Sequence, residues 1–344
     1  MESPLLRLPD AVPAEGPDAG VAAHYGDPLG EQRALAQAAG LVDRSHRGIV
    51  RISGPDRLSW LNSLTTQRLE QLPAGTAVQA LILSPNGHVE HHLTLADDGG
   101  AVWAHVEPGT AEGLVKFLES MRFMLRVEPA DVTGEYALLT LMGPDAPQAG
   151  PGGAAAVLPG GLGTDLVVPR DLMPSVAAGL RQAGARMAGM WAHEALRIAA
   201  RQPRLGLDTD HRTIPHEAGW IETAVHLDKG CYRGQETVAR VHNLGHPPRR
   251  LVFLHLDGSR ERLPGHGDPV ELDGARVGFV GSAARHYELG PIALAMVKRT
   301  VPAGRPLLAG GVDAAQEIIV APDAGANVRA TLRRAGAGML RPPG

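Results

Sequence analysis

The run GIVRIS at 48–53 stops on Gly54-Pro55-Asp56, and the run YALLTLM at 136–142 stops on Gly143-Pro144-Asp145. Each run alternates or is apolar in the manner of a strand. The same stop, used twice roughly 90 residues apart, predicts a structural unit built in duplicate. Proline after a strand ends the ladder because it lacks an N–H, and it opens a helix without loss because the first helical amides have no intrahelical partner. After Asp56 the spacing of Leu58, Trp60, Leu61 and Leu64 continues as a helix.

Between the two stops, TAVQALILSPNGHVEHHLTLAD at 76–97 predicts a hairpin turning at Pro85-Asn86-Gly87, since Asn and Gly tolerate positive φ. Helices are expected over 31–40, over 110–123 with Thr110 as the cap, and over 172–185 and 190–202. WIETAVHLD at 220–228 alternates strictly and predicts a half-buried strand. After Pro247-Pro248 the pattern changes to short strands with Asp-Gly turns, as in PVELDGARVGFVG, and predicts a small all-β domain.

A length of 344 residues calls for two or three domains. The division expected is a flexible arm at 1–23, an α+β region at 24–248, a β domain at 249–330 and a loose tail at 331–344. The net charge of −4, with both signs dispersed, offers no basic field for direct nucleic-acid binding. The first 23 residues have no basic and apolar leader pattern, and no segment approaches the ~20 apolar residues of a membrane span. One cysteine excludes an intrachain disulfide, and a cytoplasmic location is expected.

That cysteine lies in KGCYRGQETVAR, 229–240, beside one of only three lysines in a chain with 30 arginines. Gly230 and Gly234 permit a tight turn and close approach of another molecule. The residues from Gln235 read as a helix start, whose positive dipole end favours thiolate, and Lys229 would add to the effect. Such a sulfur suits a nucleophile, a redox thiol or one ligand to a soft metal, while a lone cysteine also serves as a small buried apolar group. One thiolate cannot hold an iron–sulfur cluster or an ordinary zinc site, so any cluster would be shared or transient, and no permanently bound metal is expected.

KGCYRGQETVAR resembles the K-G-C-Y-x-G-Q-E signature of the YgfZ family, the folate-binding relatives of the glycine-cleavage T-protein. RSHRGIVRISGPDRLSWLNSLTTQ, ALLTLMGPDA, EALRIAARQPRLGLD, IPHEAGW and NLGHPPRRL are similar to that family's other segments, in order, over roughly 24–330. The resemblance implies an α+β fold of two interleaved, ferredoxin-like subdomains plus a C-terminal β-barrel, arranged as a ring around a folate channel. It implies a monomer that binds tetrahydrofolate or a derivative. Its role would be iron–sulfur cluster assembly or repair, and indirectly tRNA modification, through transient contact with client or assembly proteins.

On this resemblance Cys231 is the working thiol, Lys229 its activator, and Gly230, Tyr232, Gly234, Gln235, Glu236 and Arg240 complete the motif. Glu217 falls where the T-protein has a carboxylate that grips the pterin. Arg240, with Arg249 and Arg250, could attract the folate's glutamate tail. His91 and His92, candidate folate-binding residues with Glu217 and Arg240, stand where the T-protein strand has two aspartates, one of them needed for aminomethyl transfer, and Ala199 replaces a further acidic residue. These departures argue against glycine-cleavage aminomethyltransferase activity. A folate-dependent one-carbon transferase or demethylase stays open as an alternative, with Glu90 as its acid if the strand turns it inward. A non-catalytic scaffold stays open too. On a regular strand His88 and His92 share a face with His91 opposite, which by itself demands no metal.

Overall fold

The computed structural model describes residues 2–147 and 152–325. The expected tail and the last few residues of the expected β domain lie outside that range.

Two five-stranded sheets form the centre. The first runs in the order Ala77–Leu83, Val89–Asp97, Ala101–Val106, Gly48–Ser53, Glu128–Asp131, all antiparallel. The second runs Ala156–Pro159, Thr164–Pro169, Tyr136–Met142, Gly40–Asp43, Arg186–Ala188, with the last pair parallel. The subdomains are interleaved, because Gly40–Asp43 precedes the whole first sheet in the chain yet lies inside the second.

The pleat of Ala101–Val106 shows how the layers join. Val102, Ala104 and Val106 face the helices Arg57–Leu64 and Ala111–Ser120 in one apolar core. Trp103 points the other way and meets Leu138, Leu158 and Val167 of the second sheet. The second sheet is covered outside by Met173–Gln182. Helix Met190–Ala199 carries Ala195 and Ile198 against Leu251, Phe253 and Leu294 of the β domain.

The β domain is a closed barrel in the order Arg249–Leu256, Gly290–Lys298, Ala275–His286, Pro269–Leu272, Leu307–Ala309, Val312–Ile318. Closure removes the sheet edges that an open set of short strands would expose. The α+β fold with a C-terminal barrel is therefore the one expected.

The repeated stop has one physical cause in both places. Gly54 has φ 106° and Gly143 has φ 105°. A Cβ on Gly54 would lie 2.1 Å from the Arg126 carbonyl oxygen, and one on Gly143 would lie 2.1 Å from that of Ala38. Each strand end turns where another segment's backbone presses against it. The copies diverge afterwards, since a helix follows Asp56 but only a turn is described after Asp145.

Two expectations need correction. The arm expected to be flexible is packed: strands Val12–Pro13 and Ala22–His24 pair, Leu5 and Val21 are buried, and the Ser3 hydroxyl donates to Asp43. Its apolar residues are too sparse to show a period, but they fill gaps between units. The strand expected at 220–228 is instead the short helix Ile221–Ala224 followed by a loop. Alternation alone makes no strand where no neighbour supplies ladder partners.

Gly54→Ala is expected to cost about 2 kcal/mol or more, from left-handed strain and the Arg126 carbonyl clash. A urea unfolding midpoint unchanged from that of the parent protein would contradict this account of the turn.

Candidate functional site

The sheets, helix Met190–Ala199 and the loop after it enclose a cavity of about 310 Å³. Its wall is unusual for an interior because it is built of charge. Arg44, just past strand Gly40–Asp43, donates to Asp165 at 3.0 Å and to Thr140 at 3.1 Å. Asp165 also takes a hydrogen bond from Thr140 at 2.5 Å and meets His105 Nε2 at 2.8 Å. Arg47 donates to Glu107, and Glu107 receives Arg204 through Nε at 3.1 Å and Nη2 at 3.0 Å.

Behind the arginines stands a second bank of acids. Arg204 reaches Asp18 of the N-terminal segment at 2.9 Å and Glu194 at 3.3 Å. Arg197 is held by Glu194 at 2.8 Å, by Asp208 at 2.9 Å and by the barrel's Ser282 hydroxyl at 2.7 Å. One network thus ties the arm, both sheets, the helix and the barrel together. Burying a charge is tolerable only when it is paired and hydrogen-bonded, and these are.

Electrostatics follow from the pairing. Burial pushes the Glu107 carboxyl up, but Arg47 and Arg204 outweigh it and bring the pKa down to about 2. Burial likewise opposes ionisation of Asp165, and Arg44 with His105 overcomes it and holds the carboxyl below its usual range. The histidines go the other way. Burial lowers His92, His105 and His193 to about 4 each, so all three imidazoles are neutral at physiological pH.

The hairpin decides which expected residue meets the cavity. A bulge sets Ile82 opposite His91 but Leu83 opposite Val89, leaving Glu90 as the extra residue. The slip breaks the alternation, so His88 and His92 do not share a face as a regular strand would have it. His92 lines the cavity, packs on Trp220 at 4.8 Å and meets Gln79 Oε1 at 3.3 Å. His91 turns to the helix side, against Phe117 at 6.4 Å. Glu90 pairs outside with Arg233 at 3.0 Å, so it is not an inward acid.

The expected pterin-gripping carboxylate is occupied. Glu217 is fully buried and accepts from Ile214 N at 3.1 Å, and from Arg249 N, Nε and Nη2 at 3.1, 2.8 and 2.9 Å. Its capacity is spent on joining the 214–220 turn to the barrel's first strand. Arg249 is committed to Glu217 and Asp210, Arg250 is buried against Val301 and Gln316, and Arg240 is exposed on helix Gln235–Leu244.

The cysteine motif is a pedestal. Lys229 is buried, and its ammonium donates to the carbonyls of Asn62, Thr65 at 2.6 Å and Gln67 at 3.0 Å. These lie at the C-terminal end of helix Arg57–Leu64, where carbonyls lack partners and a cation is favoured. All three N–H donors are therefore taken, and none is left for a thiolate. Burial, with Arg68 nearby, lowers this lysine to about 8, so it remains mostly charged at neutral pH.

Tyr232 is buried under that ammonium, 5.3 Å from its ring centroid, and Gln235 donates to the Lys229 carbonyl at 3.3 Å. Gly234 has φ 81°, and a Cβ there would lie 2.6 Å from the Ser84 carbonyl oxygen of the hairpin turn. Gly87 of that turn packs in return against Thr237. What the motif leaves in solvent is Gly230, Cys231, Glu236 and Arg240. Cys231 is not in the cavity wall.

The comparisons agree with this architecture. The chain matches the GCVT N-terminal domain over residues 26–149 and the glycine cleavage T-protein C-terminal barrel domain over 249–333. It is 31% identical over 305 residues to an aminomethyltransferase of Rubrobacter xylanophilus, covering 81% of each chain. It is 29% identical over 311 residues to an aminomethyltransferase of Rippkaea orientalis, covering 80% of this chain and 83% of that one. The chain belongs to the glycine cleavage T-protein family. In fold it is similar to the crystal structure of glycine cleavage system aminomethyltransferase T from Bartonella henselae, with a TM-score of 0.78 at 19% identity over 92% of this chain and 96% of that one.

Among the described residues no group of three or more His, Cys, Asp and Glu is placed to hold a metal, and no helix is long and apolar enough to cross a membrane. Arg44, Arg47, His105, Glu107, Asp165, Arg197 and Arg204 are site residues that no motif in the sequence marks. Two carried a usable signal: His105 and Asp165 are polar residues inside apolar strand runs, AVWAHV and TDLVVP.

The buried histidines set a pH window. The unfolded chain protonates them near 6.5, and the folded chain does so near 4. Between those values the unfolded state binds more protons, so stability rises with pH. Acidification from 6.5 to 5 is expected to cost about 2 kcal/mol each for His105 and His193. Urea midpoints measured at pH 7, 6 and 5 should fall steadily, and a flat series would show that both rings take up protons in the fold as they do in the unfolded chain. Separately, Lys229→Met is expected to cost about 2 kcal/mol by stripping partners from buried carbonyls. The same change should leave the pH profile of Cys231 alkylation in place, whereas a large displacement would restore Lys229 as the thiol's activator.

Proposed function

We propose that this protein binds a reduced folate in the central cavity and serves folate-linked one-carbon chemistry, as its similarity to aminomethyltransferases suggests. The observation that carries the reading is the composition of the cavity wall. Trp220 and His92 form a ring-faced side, while Gln79, Arg44, Arg47 and Arg204 surround it with N–H groups. A flat heterocycle rich in hydrogen-bonding edges fits such a wall, and about 310 Å³ lies at the small end of ligand pockets, roughly 300–1,000 Å³. The cavity is sized for the ring system, with the tail of a folate leaving through the opening.

The residues do not favour the T-protein's own transfer. Glu107 and Asp165, the two carboxylates of the wall, are each held by arginine, and Glu217 is spent on Arg249. No unpaired acid stands among them to act as a base. Binding and orientation are the tasks the wall supports.

A second reading, assistance to iron–sulfur cluster assembly or repair, is favoured by the exposed Cys231 on a short loop between the buried Lys229 and Tyr232. A thiol held out on a rigid loop is suited to meet a group carried by another protein. Lone, it could supply one ligand to a passing cluster and could not retain one.

Calorimetric titration with tetrahydrofolate is expected to give saturable one-to-one binding that persists in Cys231→Ser. Absence of saturable heat would remove the folate reading. In cells lacking the native protein, Cys231→Ser is expected to fold normally and fail to restore iron–sulfur enzyme activity. Full rescue would remove the reading that rests on the Cys231 thiol.

A further inference from the structure

The arginines and the acids of the central network are not mixed at random. Arg44, Arg47, Arg197 and Arg204 front the cavity, while Asp18, Asp208 and Glu194 stand behind them, outside its wall. The two wall carboxylates, Glu107 and Asp165, are neutralised where they lie. A ligand inside therefore meets guanidinium edges with no unpaired anion opposite.

His92 is the exception among these donors. Gln79 Oε1 can only accept, so His92 Nε2 carries the proton of that contact and Nδ1 keeps its lone pair. Nδ1 has no hydrogen-bond partner among the described residues, and it is not a sealed atom of the interior. His105, by contrast, has both nitrogens engaged, by Asp165 and by Arg47 at 3.3 Å.

Resting on the folate reading, we propose that His92 is the specificity residue of the cavity: its Nδ1 accepts a ring N–H of an uncharged reduced pteridine, and a cationic ring that lacks this N–H forfeits the bond. The bulge after Ile82 is what delivers His92 to this position. Trp220 packs against the imidazole from one side, with the rings tilted by 40°. A neutral acceptor rewards an N–H donor and, unlike a carboxylate, offers little to a positive ring.

The test compares two ligands, tetrahydrofolate and the cationic 5,10-methenyltetrahydrofolate, by calorimetry on the full-length protein. The unaltered protein should bind tetrahydrofolate at least about tenfold more tightly, the value of one good hydrogen bond to a buried site. His92→Phe keeps a ring on Trp220 and removes the acceptor, so it should lose about that factor for tetrahydrofolate. His92→Gln should recover part of it, and His91→Phe should change nothing. Equal tetrahydrofolate affinity in His92→Phe, with circular dichroism unchanged, would overturn this inference and leave the folate reading standing. Equal affinity of the unaltered protein for both ligands would do the same. No binding of either ligand to the unaltered protein would overturn both.

Discussion

The ion network around Arg204 and Arg197 is the interaction on which the assembly of this molecule depends. Arg204 alone joins Asp18 of the N-terminal segment, Glu107 of the first sheet and Glu194 of the helix that carries the barrel. Arg197 extends the tie to Asp208 and to Ser282 of the barrel itself. Removing one member of a buried pair leaves an uncompensated charge and typically costs about 3–5 kcal/mol, more than a surface bridge contributes. An apolar filling could hold the same units together, but it would close the cavity. A charged lining keeps the centre of the ring open and polar while still specifying how three units meet.

The cysteine motif obeys a related logic. Lys229 ends the helix that Gly54-Pro55-Asp56 begins, so the motif and the repeated stop are two ends of one local structure. Gly234 and Gly87 let the motif's helix lie against the hairpin turn. The hairpin in turn carries the bulge that selects His92. Features far apart in the chain, the hairpin turn and the cysteine loop, thereby form one rigid corner beside the cavity, with Cys231 outside it and His92 inside it.

Much of the fold was legible in the chain. The helices Ala111–Ser120, Met173–Gln182 and Met190–Ala199 lie within a few residues of their expected places because each has an apolar face at helical spacing, and the barrel announced itself through Asp-Gly turns. The site was legible only in part. Cys231 stood out by rarity, and Gly234 by its neighbours. Lys229 and Glu217 stand out in the sequence, but the partners they bond, the Asn62–Gln67 carbonyls and Arg249, come from distant segments and leave no local signal. The packing of the N-terminal arm is not legible in the sequence, because Asp18 and Leu5 acquire partners only when the folded units stand beside them.

By itself the sequence determined the local conformations: where strands must stop at Gly54 and Gly143, where helices start, and that one thiol is available. These are decided by φ, by hydrogen-bond donors and by spacing, all properties of short segments. Only the tertiary structure decided which charges are buried and paired, whether His91 or His92 faces inward, and that Cys231 lies in solvent and outside the cavity. Those outcomes depend on a one-residue slip in pairing and on side chains from several remote segments converging in a place of low polarisability, and no local pattern encodes either.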